Sequence, residues 1–137
     1  EEFSDWSLKL FEEFKKGYSV AVVSNITRDE LENAPKNVQQ ILDQIDELHI
    51  EHVWLTDVAR ELADLYLKEK VVSKSSSVDA QHIAIASVER VDVLVSWNFK
   101  HIVNLDRIHG FNGVNLKYGY PALEIRTPRE VLHEKKV

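Results

Sequence analysis

The chain of 137 residues contains no cysteine and no methionine, and it has only 4 glycines and 3 prolines. Without cysteine it can form no disulfide, no thiolate metal site and no cysteine nucleophile, and this composition is compatible with a cytoplasmic location. It also lacks an apolar run of the ~18–20 residues that a transmembrane helix needs, so we expect no membrane partner. Methionine is missing even at position 1, so we expect an N-terminal segment upstream of Glu1.

Positive charge is also scarce. Lys and Arg number 17 against 23 Asp and Glu, which gives a formal net charge of −6. Proteins that coat nucleic acid through a broad basic face usually have the opposite balance. The composition therefore argues against such a coat. It leaves two options, a local nucleic-acid site assisted by metal ions or a partner, and an ordinary acidic protein.

The apolar pattern predicts short strands that alternate with helices. Residues 18–24 and 91–96 are mostly apolar and β-branched, which is typical of strands buried on both faces. Further strands are predicted at 50–55 and 123–126. Helices are predicted at 3–16 with Gly17 as the C-cap, at 27–33, at 38–48, from Thr56 or Asp57 to 66, at 79–90, and from Thr127 with Pro128 at its first position.

Four further interpretations concern single segments. Gly110 and Gly113 are expected to break the helix that starts near His101, and residues 73–77 are expected to form one loop. Trp6 and Trp54 are interpreted as core aromatics, and His82 as a hydrogen-bonded core histidine. The order of elements predicts one α/β domain over residues 1–137, with a parallel sheet between helices on both faces.

Three polar side chains lie near predicted strand ends or helix starts. Thr27-x-x-Glu30 matches a capping box, which is the commoner use of that pattern. Asp79 fits an N-cap or an acid in the first turn of a helix, and Asn98 fits a turn. Ligand sites of parallel sheets lie beyond the carboxyl ends of the strands, so the three side chains could instead meet in one acidic cleft. Such oxygen ligands suit Mg²⁺ or Mn²⁺, which polarise phosphodiesters and activate bound water.

The ordered segments resemble the PIN domain, the metal-dependent ribonuclease fold shared by VapC-type toxins. VSNITRDEL (23–31), VDAQHIAIA (78–86) and VLVSWNFKHI (93–102) are similar to the segments with the family's second, third and fourth acids. These acids map onto Glu30, Asp79 and Asn98. The segment SWNFKHIVN and the later segment GYPALEIRTPREV are similar to the sequences of one PIN subgroup.

The sequence departs from the PIN pattern at two places. The fourth acid is replaced by Asn98, which offers a carbonyl oxygen but no negative charge. Nothing before Tyr18 resembles the first strand of the family, which ends in its first Asp in wording like LDTS. The resemblance therefore implies that this strand and its Asp lie upstream of Glu1 or are missing.

The resemblance implies a three-layer α/β/α fold and an endoribonuclease that hydrolyses RNA, as the toxin of a toxin–antitoxin pair with an antitoxin protein as partner. Glu30, Asp79 and Asn98 would be its catalytic residues and its ligands for Mg²⁺ or Mn²⁺. A homodimer is compatible with the family. Supporting roles fall to Ser96 and His101, and candidate phosphate contacts are Arg28, Lys100 and Arg107, each of which also fits a solvated surface charge.

Two other functions compete with the nuclease. A catalytically impaired PIN module that binds RNA or protein would explain Asn98 and the missing first Asp. A receiver-like signalling domain of similar topology fits less well. Such a domain needs a lysine after its last strand, whereas the short final strand here leads into Arg126-Thr127-Pro128.

Overall fold

The computed structural model describes residues 4–96 and 104–135. Helices and short parallel strands follow one another along this part of the chain, which confirms the predicted mixed α/β class. The elements are α1 (Ser4–Lys16), β1 (Ala21–Ser24), α2 (Asn25–Glu32), α3 (Lys36–Asp43), β2 (Ile50–Val53), α4 (Asp57–Lys68), α5 (Ser77–Val88), β3 (Val93–Val95), α6 (Leu105–Lys117), β4 (Glu124–Arg126) and α7 (Pro128–Lys135).

The chain divides into two compact units. Unit 1 comprises Glu1–Trp54 with Pro128–Val137, and unit 2 comprises Leu55–Thr127. Each unit contains one pair of parallel strands, β1 with β2 in unit 1 and β3 with β4 in unit 2. Across the described ranges, no helix is both long and apolar enough to cross a membrane.

Unit 1 is built on the parallel pairing of β1 with β2, which places Ala21 opposite Ile50 and Ser24 opposite Val53. Helix α1 packs against α7 in the same unit. Gly17 ends α1 in the left-handed conformation with φ of 78°, and the Tyr18 N–H donates to the Glu13 carbonyl at 3.0 Å. This is a Schellman C-cap, as the glycine predicted. The apolar core of unit 1 includes Leu10, Ala21, Val23, Ile45, Val53, Val131 and Leu132.

Three predictions for unit 1 are wrong. The first strand begins at Ala21 and leaves Val22 38% exposed, because Val22 faces away from Ala21 and Val23 on a strand with one covered face. Helix α3 ends at Asp43, and Leu48 lies 84% exposed in a short 3₁₀ turn. Trp54 is 58% exposed, so it is not a core aromatic.

Unit 2 centres on α4 packed against α5. Thr56 caps α4 as predicted, because its Oγ1 accepts a hydrogen bond from the Ala59 N–H at 3.2 Å. The strand pair aligns Val93 with Glu124, and all three residues of β3 are half-buried rather than buried on both faces. The largest buried side chains of the unit are Tyr66, Phe111, Leu62, Ile83 and Ile125.

Two further predictions fail in unit 2. Helix α6 runs from Leu105 to Lys117 through both Gly110 and Gly113, which therefore do not break it. Gly110 has a packing role, since a Cβ built there would lie 2.9 Å from Val71 Cγ1. Residues 73–77 do not form a simple loop, because Lys74–Ser76 form a 3₁₀ turn and α5 begins at Ser77.

Candidate functional site

Glu30 lies in the second turn of α2 and its side chain is exposed. The N-cap of this helix is Ser24, whose Oγ accepts from the Thr27 N–H at 3.1 Å. Helix α2 thus begins at Asn25, directly after β1, and the predicted capping box of Thr27 with Glu30 is wrong. Because a capping-box acid must lie in the first turn, Glu30 does not have that role.

Arg28 lies one turn after the Ser24 cap and contacts two residues on or next to β2. Its Nη1 donates to His52 Nδ1, which assigns the ring proton to Nε2, and His52 Nε2 donates to Glu47 Oε2 at 3.0 Å. The Arg28 guanidinium carbon also lies 5.5 Å from the centroid of the exposed Trp54 ring, within cation–π distance. These contacts fix the Arg28 side chain on the surface of unit 1. The sequence did not predict the arrangement.

Asp79 is the third residue of α5 and is half-buried. The N-cap of α5 is Ser76, so the N-cap interpretation of Asp79 is wrong and its interpretation as a first-turn acid is confirmed. The partial positive charge at a helix start favours a carboxylate there. His82 lies one turn further along and is half-buried rather than part of the core. Residues three apart on a helix are neighbours on its surface.

The other predicted site residues of this region are described only in part. Ser96 follows β3 and is buried, and its N–H donates to the Arg126 carbonyl at 2.9 Å, which extends the β3–β4 ladder by one bond. Asn98, Lys100 and His101 lie outside the described residues. Their predicted roles therefore stay predictions.

Arg107 lies in the first turn of α6, where its N–H donates to the N-cap residue Asn104 at Oδ1 with a length of 3.2 Å. It lines a cavity of about 600 Å³ in unit 2 together with Lys68, Lys70 and Lys74. The three lysines were not singled out in the sequence. Their density between residues 68 and 74 was the available signal, whereas the approach of Arg107 depends on the packing of α6 against Val71.

The donor types of Glu30, Asp79 and Asn98 fit Mg²⁺ or Mn²⁺, because both ions prefer carboxylate, carbonyl and water oxygens. Glu30 belongs to unit 1 and Asp79 to unit 2. Within residues 4–96 and 104–135, no group of three or more His, Cys, Asp or Glu side chains is placed to hold a metal ion. The metal site stays a prediction.

Comparisons with protein-family models, with curated proteins and with solved structures find no match to this chain.

Proposed function

We propose that this chain is a metal-dependent endoribonuclease of the PIN type. In this proposal Glu30 and Asp79 hold Mg²⁺ or Mn²⁺, Asn98 supports the ion or its bound water, and RNA is the substrate. The two parallel strand pairs would belong to one three-layer α/β/α domain over residues 1–137, to which an upstream first strand adds the first acid. An antitoxin protein would keep the enzyme inactive in the cell.

The observation that carries the proposal is the position of Glu30. It is an exposed acid in the second turn of a helix that follows a parallel strand without any intervening loop. The capping-box interpretation of Glu30, which competed with catalysis, is wrong because the N-cap of α2 is Ser24 and not Thr27. Asp79 adds weaker support, because it lies in the first turn of α5, where the helix dipole favours a negative charge.

The proposed site residues have two kinds of role in phosphodiester hydrolysis: some bind the metal ion, and others pair with the charge of the phosphate. A bound Mg²⁺ or Mn²⁺ supplies Lewis-acid polarisation of the phosphodiester and lowers the pKa of a bound water. The Glu30 and Asp79 carboxylates would hold the ion, and Asn98 would offer a carbonyl oxygen that adds no negative charge. Arg28, held by His52 and Trp54, is the basic side chain of α2 and would be the group there that pairs with a phosphate oxygen.

Calorimetric titration of the whole protein with Mn²⁺ tests the proposed ligands. We expect saturable binding in the millimolar range or tighter, and we expect Glu30→Gln to remove it. Glu32→Gln is the matched control, since Glu32 is an exposed acid on the same helix. Equal Mn²⁺ binding by both variants would contradict the assignment of Glu30.

The impaired PIN module is a second candidate, which the amide at position 98 favours because it removes one negative charge from the site. It predicts that the protein binds single-stranded RNA but does not cleave it with Mn²⁺ present. Restoring an acid through Asn98→Asp separates the two functions. If the chain is a nuclease, the parent protein cleaves RNA. If it is an impaired module, the parent protein does not cleave RNA as long as position 98 is Asn.

A further inference from the structure

Unit 2 contains a cationic cavity, defined here as the space lined by the four basic side chains Lys68, Lys70, Lys74 and Arg107. It lies where the last turn of α4 and the segment after it meet the first turn of α6. Its volume is about 600 Å³, inside the range of about 300–1,000 Å³ that is usual for small-molecule and cofactor sites. Among the residues that the structure describes, the lining contains four basic ones and no acidic one.

This positive charge stands out in a chain whose net charge is −6. Within the described ranges, no carboxylate lies at ion-pair distance from Lys68, Lys70 or Lys74. The acid between Lys68 and Lys70 in sequence is Glu69, whose Oε2 accepts from Lys117 Nζ and from Tyr118 Oη, each at 2.9 Å, and whose charge also interacts with Lys68. The hydrogen bond from Lys117 lowers the pKa of Glu69, so Glu69 stays ionised and paired. The cavity therefore keeps an excess of positive charge.

The cavity also has an apolar part. Leu67 and Val71 contribute to the lining between the charged groups. A small hydrated anion such as inorganic phosphate needs neither this area nor four cations. A strand of nucleic acid supplies both features, since its phosphates are spaced along a backbone whose sugars and bases present less polar faces. Arg107 adds a planar guanidinium that can bind a phosphate through two parallel hydrogen bonds.

We propose that the cationic cavity binds the phosphate backbone of single-stranded RNA. The segment that lines it continues into α5, and Lys74 precedes Asp79 by one turn of 3₁₀ helix and the first turn of α5. As a track that leads substrate to Asp79 in the same unit, the cavity rests on the proposed ribonuclease function. The proposal that the cavity binds RNA does not depend on the ribonuclease function.

The backbone at Lys70 makes a clean test possible. Lys70 has φ of 63° and occupies the C′ position of a Schellman motif, with the Val71 N–H donating to the Tyr66 carbonyl at 3.0 Å. Glycine is the favoured residue for this conformation, because side chains with a Cβ are strained there. Lys70→Gly therefore removes one cation from the cavity without weakening the fold. Arg90 ends α5 in the same way with φ of 55°, so Arg90→Gly is a matched control away from the cavity lining.

The experiment measures fluorescence anisotropy of a labelled single-stranded RNA with the whole protein in EDTA, so that no metal-dependent cleavage occurs. Salt is varied between about 50 and 200 mM, and the logarithm of affinity is plotted against the logarithm of salt. We expect Lys70→Gly, Lys74→Gln and Arg107→Gln each to weaken binding several-fold and to reduce the slope by about 0.7, the contribution of one phosphate contact in a single strand. Arg90→Gly, and Lys36→Gln in unit 1, should leave affinity and slope unchanged.

Competition by unlabelled ligands tests which class of anion the cavity binds. We expect unlabelled RNA to displace the probe well below the concentration at which a mononucleotide or inorganic phosphate does so. Equal loss of binding in the cavity variants and in the controls would overturn the proposal, as would stronger competition by polyglutamate or by anionic lipid vesicles than by RNA. RNA binding through the cavity without any cleavage would refute only the ribonuclease. Cleavage with unaltered binding in the cavity variants would refute only the cavity.

Discussion

At the scale of single residues, the most buried polar groups of unit 2 form one hydrogen-bonded cluster. Tyr66 Oη donates to Asn115 Oδ1, and Asn115 Nδ2 donates to Ser87 Oγ at 2.9 Å. Ser87 Oγ in turn donates to the Ile83 carbonyl at 2.8 Å. All three side chains are almost completely buried, so the hydrogen bonds replace water that these groups lose on folding. The cluster ties α4, α5 and α6 to one another.

Tyr66→Phe tests the contribution of this cluster to stability. The change removes one hydroxyl and leaves Asn115 Oδ1 without its buried donor, so we expect the free energy of unfolding to fall by about 1–3 kcal/mol. Urea unfolding followed by circular dichroism measures it. Tyr18→Phe, at a position 73% exposed, should change the free energy little. Equal effects at the two positions would show that the buried cluster is not stabilising.

We also expect Tyr66 to make the free energy of unfolding fall at alkaline pH. Burial raises the pKa of Tyr66 to about 12 from its ordinary value of 10.0. The folded state thus holds its phenolic proton where the unfolded state has released it. The stabilising contribution is complete below pH 10 and is lost as the pH rises through about 12. The Tyr66→Phe variant should lack this part of the alkaline decline in urea unfolding, and an unchanged profile would contradict it.

The residues of the candidate site were predictable only where local sequence defines them. Glu30 and Asp79 stood out as acids near helix starts, and whether they cap or catalyse depended on where each helix begins. The structure excludes the capping-box role of Glu30, because α2 begins after Ser24 and Glu30 therefore lies in its second turn. The contacts of Arg28 with His52 and Trp54 could not be predicted, since they require the register between β1 and β2.

At the scale of elements, helix ends were predicted where a single cap residue defines them, and strand exposure was predicted poorly. Thr56, Gly17 and Pro128 mark helix boundaries through local backbone chemistry that any chain shares. The exposure of Val22 and Leu48 depends on which other elements cover them, and apolar spacing alone carries no such information. The same limit explains the wrong prediction for α6, where tertiary packing outweighs the low helix propensity of glycine.

The two glycines of α6 give a matched pair of substitutions. At Gly110 an added Cβ would lie 2.9 Å from Val71 Cγ1, so we expect Gly110→Ala to lower the free energy of unfolding by about 1–3 kcal/mol. At Gly113 the added Cβ meets no described atom within 4 Å apart from its chain neighbours and the backbone of its own helix, so we expect Gly113→Ala to raise the free energy of unfolding by about 0.5–1 kcal/mol. Urea unfolding should therefore give changes of opposite sign. Two changes of the same sign would contradict the packing role of Gly110.

At the scale of the whole molecule, an acidic chain combines two proposed metal-binding acids with one local basic cavity. The net charge of −6 still argues against a broad basic face for nucleic acid. The proposals need no such face, because the cationic cavity concentrates four basic side chains in one place in unit 2. The α/β class was predictable from the alternation of elements. The cavity was not, since the approach of Arg107 to residues 67–74 depends on tertiary packing.

The central claim is that Asp79 takes part in RNA hydrolysis and does not only stabilise the start of α5. The most direct measurement compares cleavage of single-stranded RNA with Mn²⁺ by the whole protein and by Asp79→Asn and Asp57→Asn. Asp57 is the first-turn acid of α4 and lies exposed, so both substitutions lose a similar interaction with a helix dipole. We predict cleavage by the parent protein and by Asp57→Asn, and a loss of at least about 100-fold for Asp79→Asn, the scale of removing one group that stabilises developing charge. Equal cleavage by the two variants, or none by the parent protein, would contradict the account.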